Sequence, residues 1–169
     1  MKIFEISDDS GFMGIANYDT YKSFLNRDWD FNMIKEKIID EMNLHHLLFW
    51  GTGTGNIWKV KIDSTLSNNN FYREERAVIE VTNGKLHLTN YEALTMAAQF
   101  EHVKLPQKHH EHLHIDLENG KYMVRFRQME NPETHQSESD YDFELMFTKI
   151  INMPDLYVNN LKTITWNVY

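Results

Sequence analysis

Twice in this chain an Asn-Gly pair sits between runs in which apolar and polar residues alternate. These are ERAVIEVTNGKLHLTN around Asn83-Gly84 and LHIDLENGKYMVRF around Asn119-Gly120. Successive strand residues point to opposite faces, and Asn-Gly suits two-residue turns whose central positions need positive φ. Each stretch therefore predicts a β-hairpin. Closing the first pairs Val81 with Leu86 and Ile79 with Leu88; closing the second pairs Leu117 with Tyr122, Ile115 with Val124 and Leu113 with Phe126. Every one of these pairs is apolar, so turn and hydrophobic pattern specify the same register. Antiparallel sheet is the expected backbone of the fold.

One segment has a different period. In DFNMIKEKIIDEMNLHH, Phe31, Ile34, Ile38 and Met42 recur at helical spacing, Ile39 widens the stripe and Asp30 is a candidate N-cap. This predicts an amphipathic helix over 31–43. A further turn or two of helix is expected within 90–100, where Leu94, Ala97 and Ala98 share a face. Strands are expected at 2–6, in the buried run LLFWG (47–51), in NIWKVKI (56–62), in YDFELMF (141–147) and in the closing segment LKTITWNVY (161–169). The tryptophans Trp50, Trp58 and Trp166 lie in such runs and read as core. At 169 residues the chain fits a single domain, 1–169. The predicted fold is α+β, mainly antiparallel β, a two-sheet β-sandwich with one packed amphipathic helix.

Composition narrows the chemistry. There are no cysteines, which removes disulfides, thiolate metal sites and cysteine nucleophiles at once. No stretch has the length of apolar sequence that a membrane span requires, and the start MKIFEISDDSGF has no apolar core of a secretory signal. A cytoplasmic protein is expected. With 25 acidic against 17 basic residues the chain carries −8, which disfavours phosphate backbones and favours a basic partner.

Two motifs invite a chemical reading. GTGTG at 51–55 suggests a phosphate loop, but such a loop needs a helix N-terminus after it, and here a strand follows. A flexible hairpin connection is the expectation. The second motif is HHEHLHID at 109–116, four histidines and two acids in eight positions. On a strand, His110, His112, His114 and Asp116 share a face, and imidazoles two apart can ligate zinc, iron or copper. His112-x-His114 followed by Glu118 resembles part of the first cupin metal motif, which implies a cupin-like metal-dependent enzyme. The second hairpin argues otherwise, because it sets His114 opposite Arg125 and His112 opposite Arg127. Two guanidiniums about 5 Å from the candidate ligands would repel a cation. If 141–147 pairs with 121–129, Asp142 and Glu144 join the same face. This is a mixed-charge ladder that serves solubility and register, and its residues His112, His114, Arg125 and Arg127 form the candidate partner-binding face. No catalytic residue, metal ligand or cofactor is assigned.

His45-His46, after the first helix, reads as a charge at a helix C-terminus. The run Glu133 to Glu144, with five acids and no Lys or Arg, reads as a solvated loop and strand face.

The order ERAVIEVTNGKLHLTN, AAQFEHVKLP, LHIDLENGKYMVRF, spanning about 75–128, resembles that of small bacterial β-sandwich proteins of unknown function. It is similar, more distantly, to the competence nuclease inhibitor family. The resemblance implies a β-sandwich that acts by binding another macromolecule, and no binding residue is carried over from it. The leading expectation is a non-enzymatic cytoplasmic binding protein, an inhibitor or immunity-type partner of a basic protein, with no nucleic-acid or membrane partner. The alternatives are the metalloenzyme built on His110, His112 and His114, and a small-molecule binder with its pocket between the sheets.

Overall fold

The computed structural model describes residues 1–23, 26–134, 137 and 139–152. The expected strand at 161–169, and Trp166 with it, lies outside the described residues. In chain order the elements are β1 (Lys2–Asp8), β2 (Phe12–Ala16), α1 (Phe31–Asn43), β3 (Leu47–Gly51), β4 (Asn56–Asp63), β5 (Arg73–Val81) and β6 (Lys85–Asn90). They continue with α2 (Tyr91–Gln99), a 3₁₀ turn at Lys108–His110, β7 (His114–Asp116), β8 (Gly120–Gln128) and β9 (Phe143–Ile150).

The strands form two sheets. The larger has the order β1-β4-β9-β8-β5 and the smaller β3-β2-β6-β7. All pairings are antiparallel except β4 with β9. The fold is α+β with two sheets, and among the described residues it holds two helices: α1, and α2 where a turn or two of helix was expected within 90–100. Between the sheets Trp50 of β3 meets Phe126 of β8 at 5.0 Å and Phe143 of β9 at 6.0 Å between ring centroids. Trp50 and Trp58 are both buried, as expected.

The smaller sheet is buried on both faces: every residue of β3 is buried. Its second face is covered by the helices, where Phe49 stacks on Phe12 and Phe12 meets Tyr91 at the start of α2. Sheets buried on both sides read as continuous apolar runs, which is what LLFWG shows. Gly14 is opposite Phe49 in this layer, and a Cβ there would lie 2.6 Å from the Phe49 ring. Only glycine lets that ring cross β2.

Helix α1 occupies the residues its spacing predicts. The Asp30 carboxylate accepts the Met33 N–H at 2.9 Å, and Ile34, Ile38 and Met42 are buried. Its end is a Schellman motif: His46 N–H donates to Glu41 O and His45 N–H to Met42 O, with His45 at φ 63 where glycine is usual. His46 then turns its Nδ1 to the Glu41 carboxylate at 2.8 Å. Helix α2 is capped in the same way by Asn90, which accepts the Ala93 N–H.

Neither Asn-Gly pair closes a hairpin. Val81 pairs with Gly120 and Ile79 with Tyr122, in the larger sheet. Leu86 pairs with Ile115 and Leu88 with Ile15, in the smaller one. Each Asn-Gly carries the chain from one sheet to the other. A two-residue hairpin turn of this type needs positive φ at both positions; here Gly84 (φ 70) and Gly120 (φ 144) have it and their asparagines do not. The apolar alternation misled because it records which face meets the core, and in a sandwich both sheets present an apolar inner face. All the residues expected inward in those pairs are buried except Leu117, which is partly so. GTGTG is likewise no hairpin: it links β3 of the smaller sheet to β4 of the larger.

Candidate functional site

The histidines of HHEHLHID do not share a strand. His110 ends the 3₁₀ turn and is buried, His112 is exposed in the following turn, and only His114 belongs to β7. There it pairs with His87 of β6, ring centroids 6.3 Å apart. Burial first, then His109 and His112, push the His110 imidazole down to about 4. Among the described residues no three His, Asp or Glu side chains gather in a geometry that can hold a metal ion. Arg125 and Arg127 stand in β8 of the other sheet, opposite Arg76 and Glu74. The single face of His112, His114, Arg125 and Arg127 therefore does not form, because β6 takes the strand that was expected to pair with β8.

The arginines have other partners. Arg125 Nη2 donates to both Glu74 oxygens, at 2.8 and 2.9 Å, and Arg127 Nε donates to Glu74 Oε2 at 2.6 Å. Arg127 lies 3.8 Å from Glu144 of β9, and Glu144 accepts from Lys61 of β4 at 2.8 Å. An alternating chain of charge thus crosses β5, β8, β9 and β4 on the outer face of the larger sheet. The antiparallel pairing of β8 with β9 was expected, and it places Glu144 opposite Arg127. Glu144, however, is fully buried rather than solvated. The loop 64–71 seals it: Ser67 N–H and Oγ–H donate to its oxygens at 2.8 and 3.0 Å, and Phe71 lies under the Arg127 guanidinium at 4.3 Å. Burial alone would raise the Glu74 and Glu144 carboxyls. Hydrogen bonds from Arg127 and Arg125 in one case, and from Lys61 and Ser67 in the other, outweigh it and hold both below the usual range. Both arginines are thus paired with carboxylates of their own sheet.

A second polar node fixes one end of the sandwich. The Asp8 carboxylate accepts from Thr52 Oγ1 at 2.8 Å, Phe12 N at 3.0 Å, Ser10 N at 3.1 Å and Trp58 Nε1 at 3.3 Å. Burial raises its carboxyl despite these bonds. Asp8 thereby ties the GTGTG loop to the β1–β2 turn, and Gly53 in that loop packs on Pro132. Three loops meet at this end, and they bring the exposed acids Asp9, Glu133 and Asp140 with them. No Lys or Arg occurs between Arg127 and Lys149, or in 8–12, or in 51–58.

A pair of adjoining cavities opens on the helix side of the smaller sheet. Two depressions of about 230 and 430 Å³ share Tyr18 and Leu105 as lining residues. His87 is on the floor, 8 % exposed, with the Tyr18 ring 5.3 Å away and no hydrogen-bond partner for Nδ1 among the described residues. Burial, with His114 and Lys85 adding to it, pushes the His87 imidazole down to about 4; burial raises the phenols of Tyr18 and Tyr21. The floor is uncharged at neutral pH. Sequence reasoning missed His87, which looks like an outward residue of an ordinary strand. Its outward side faces loops 17–23 and 101–106, and nothing in a local pattern connects segments so far apart.

No protein-family profile matches the chain, and no curated protein does. Two solved structures are similar to it. One is the crystal structure of ComJ, inhibitor of the DNA degrading activity of NucA, from Bacillus subtilis: TM-score 0.52, 13% identity, 89% of this chain and 96% of that one covered. The other is the product of crocagin biosynthetic gene J, with TM-score 0.52, 12% identity and coverage of 88% and 97%. At such identity the likeness is one of fold, and it extends over nearly the whole of each chain.

Proposed function

We propose that this protein works by binding another protein, as a non-enzymatic inhibitor-type module whose partner is basic. The observation that carries this reading is the fold shared with a nuclease inhibitor along 89% of the chain. The charge balance supports it: 25 acids face 17 bases, and the loop end around Asp8 gathers acids without a Lys or Arg in its three loops. A basic protein approaching such a rim is steered by the field, and its association slows as salt rises. Among the described residues no helix is long and apolar enough to cross a membrane.

The test is capture from extract of the native cell on the immobilised, untagged protein, followed by titration of the captured protein's own activity. A basic protein held at fixed stoichiometry, whose activity falls as this protein is added and recovers in high salt, is the expected result. Capture of no specific protein, or of one whose activity is unchanged on saturation, overturns the reading.

A further inference from the structure

The groove across Tyr18 runs from Lys85 at one end to Lys22 and Lys104 at the other. Its lining is about evenly polar and apolar, the apolar part coming from Leu105, shared by both depressions, and from Ala97 and Val103 in the larger. Lys22 Nζ donates to Asp19 O at 3.2 Å and Lys104 Nζ to Glu101 O at 3.0 Å. In both, the ammonium folds back on the carbonyl three residues before it. A carbonyl orients an ammonium without neutralising it. Among the described residues no carboxylate lies within 4.0 Å of Lys22, Lys85 or Lys104. Of the two acids lining the groove, Asp19 turns Oδ2 to the Thr82 hydroxyl at 2.6 Å, and Glu101 is exposed at the rim. The floor adds no compensating negative charge.

We infer that this groove is a binding site for a small anion with an apolar body, a carboxylate or phosphate monoester carried on an aromatic or branched group. The combined space falls within the range of small-molecule sites, which pair apolar walls with a few placed charges. The anion sits between Lys22 and Lys104, and the apolar body lies over Tyr18 against Leu105. A cleft of low dielectric focuses the field of its rim, so the lysines act on an anion here more strongly than they would on a flat surface. The site is independent of the protein-binding reading, since it uses none of the acidic loop end.

The experiment is an amide NMR titration of the whole chain with benzoate, phenyl phosphate and neutral benzyl alcohol. Saturable shifts centred on Tyr18, Lys22, His87 and Lys104 are expected with at least one anion, and the tighter of the two identifies carboxylate or phosphate as the preferred head group. The Lys22→Gln/Lys104→Gln double variant, with a native spectrum, should bind that anion about five- to tenfold more weakly. Absence of saturable shifts at the groove overturns the inference. So does benzyl alcohol binding as tightly as the anions, or a natively folded double variant that keeps full affinity.

Discussion

The Asn119 side chain accepts the backbone N–H of Gly84 through Oδ1 at 2.8 Å. One Asn-Gly turn thus holds the other, and Leu117 N–H completes the clasp by donating to Gly84 O at 3.0 Å. Both turns move the chain between sheets, so the two crossings are locked side by side. The lock sets β7 next to β6, with Asp116 opposite Lys85 and His114 opposite His87.

Removing the clasp has a modest and separable cost. Asn119→Ala leaves an exposed N–H that water can satisfy, and the expected loss is about 1 kcal/mol. Gly84→Ala places a Cβ at φ 70 and costs about 1 to 2 kcal/mol through backbone strain, since the space there is open. Urea denaturation should show lower midpoints with an unchanged slope in both variants. An Asn119→Ala protein as stable as the parent would mean that the crossings are held by core packing alone.

Buried His87 and His110 make stability depend on pH, and burial shifts the third buried histidine, His45, in the same direction. The imidazoles of His87 and His110 are both depressed from 6.5 to about 4. The unfolded chain therefore binds protons that the folded one refuses, and their contribution is fully present above 6.5 and lost as pH falls towards 4. The size is on the order of 3 kcal/mol for each histidine at the bottom of that window. Glu74 and Glu144 act below it, because their carboxyls are held under the usual value and lose their contribution only as pH falls through the lowered range. His87→Gln should flatten the upper part of the curve. Denaturation midpoints from neutral pH to 4, with imidazole proton shifts assigned to His87 and His110, check the order of the two losses.

What the sequence made legible follows from what each pattern physically records. The stripe of Ile34, Ile38 and Met42 with its Asp30 cap is local, and α1 forms where that pattern places it. The alternation of Ile79, Val81, Leu86 and Leu88 records an inner face, and all four are buried. It carries no information about which sheet a strand joins, so partner assignment failed at both Asn-Gly turns. The charge pairs fared unevenly for the same reason. Arg127 and Glu144 are neighbours because β8 and β9 do pair, whereas His112 and His114 went with β7 to the other sheet. The groove was illegible altogether, because Tyr18, His87 and Leu105 converge from three distant segments.

Glu144 and Lys61 form the most deeply buried ion pair described, with Glu144 fully buried and Lys61 at 8 % exposure. Truncating one partner of such a pair leaves the other charge without compensation, and the usual cost is about 3 to 5 kcal/mol. Glu144→Ala also strips Ser67 of its acceptor and so frees the loop 64–71 that covers the outer face. It should therefore lower stability by that amount and raise amide exchange in the loop. Lys61→Met/Glu144→Leu removes both charges and retains apolar bulk, so its loss should be well under the sum of the losses of the Lys61→Met and Glu144→Leu single variants. Arg127 sets a limit on that recovery: it lies 3.8 Å from Glu144, but keeps Glu74 at 2.6 Å, so it is not left unpaired. Equilibrium denaturation of the four proteins in the cycle gives the coupling directly. A double variant as unstable as the sum of the singles would show that the pair's hydrogen bonds to Ser67 and Tyr141, rather than its charges, hold this face together.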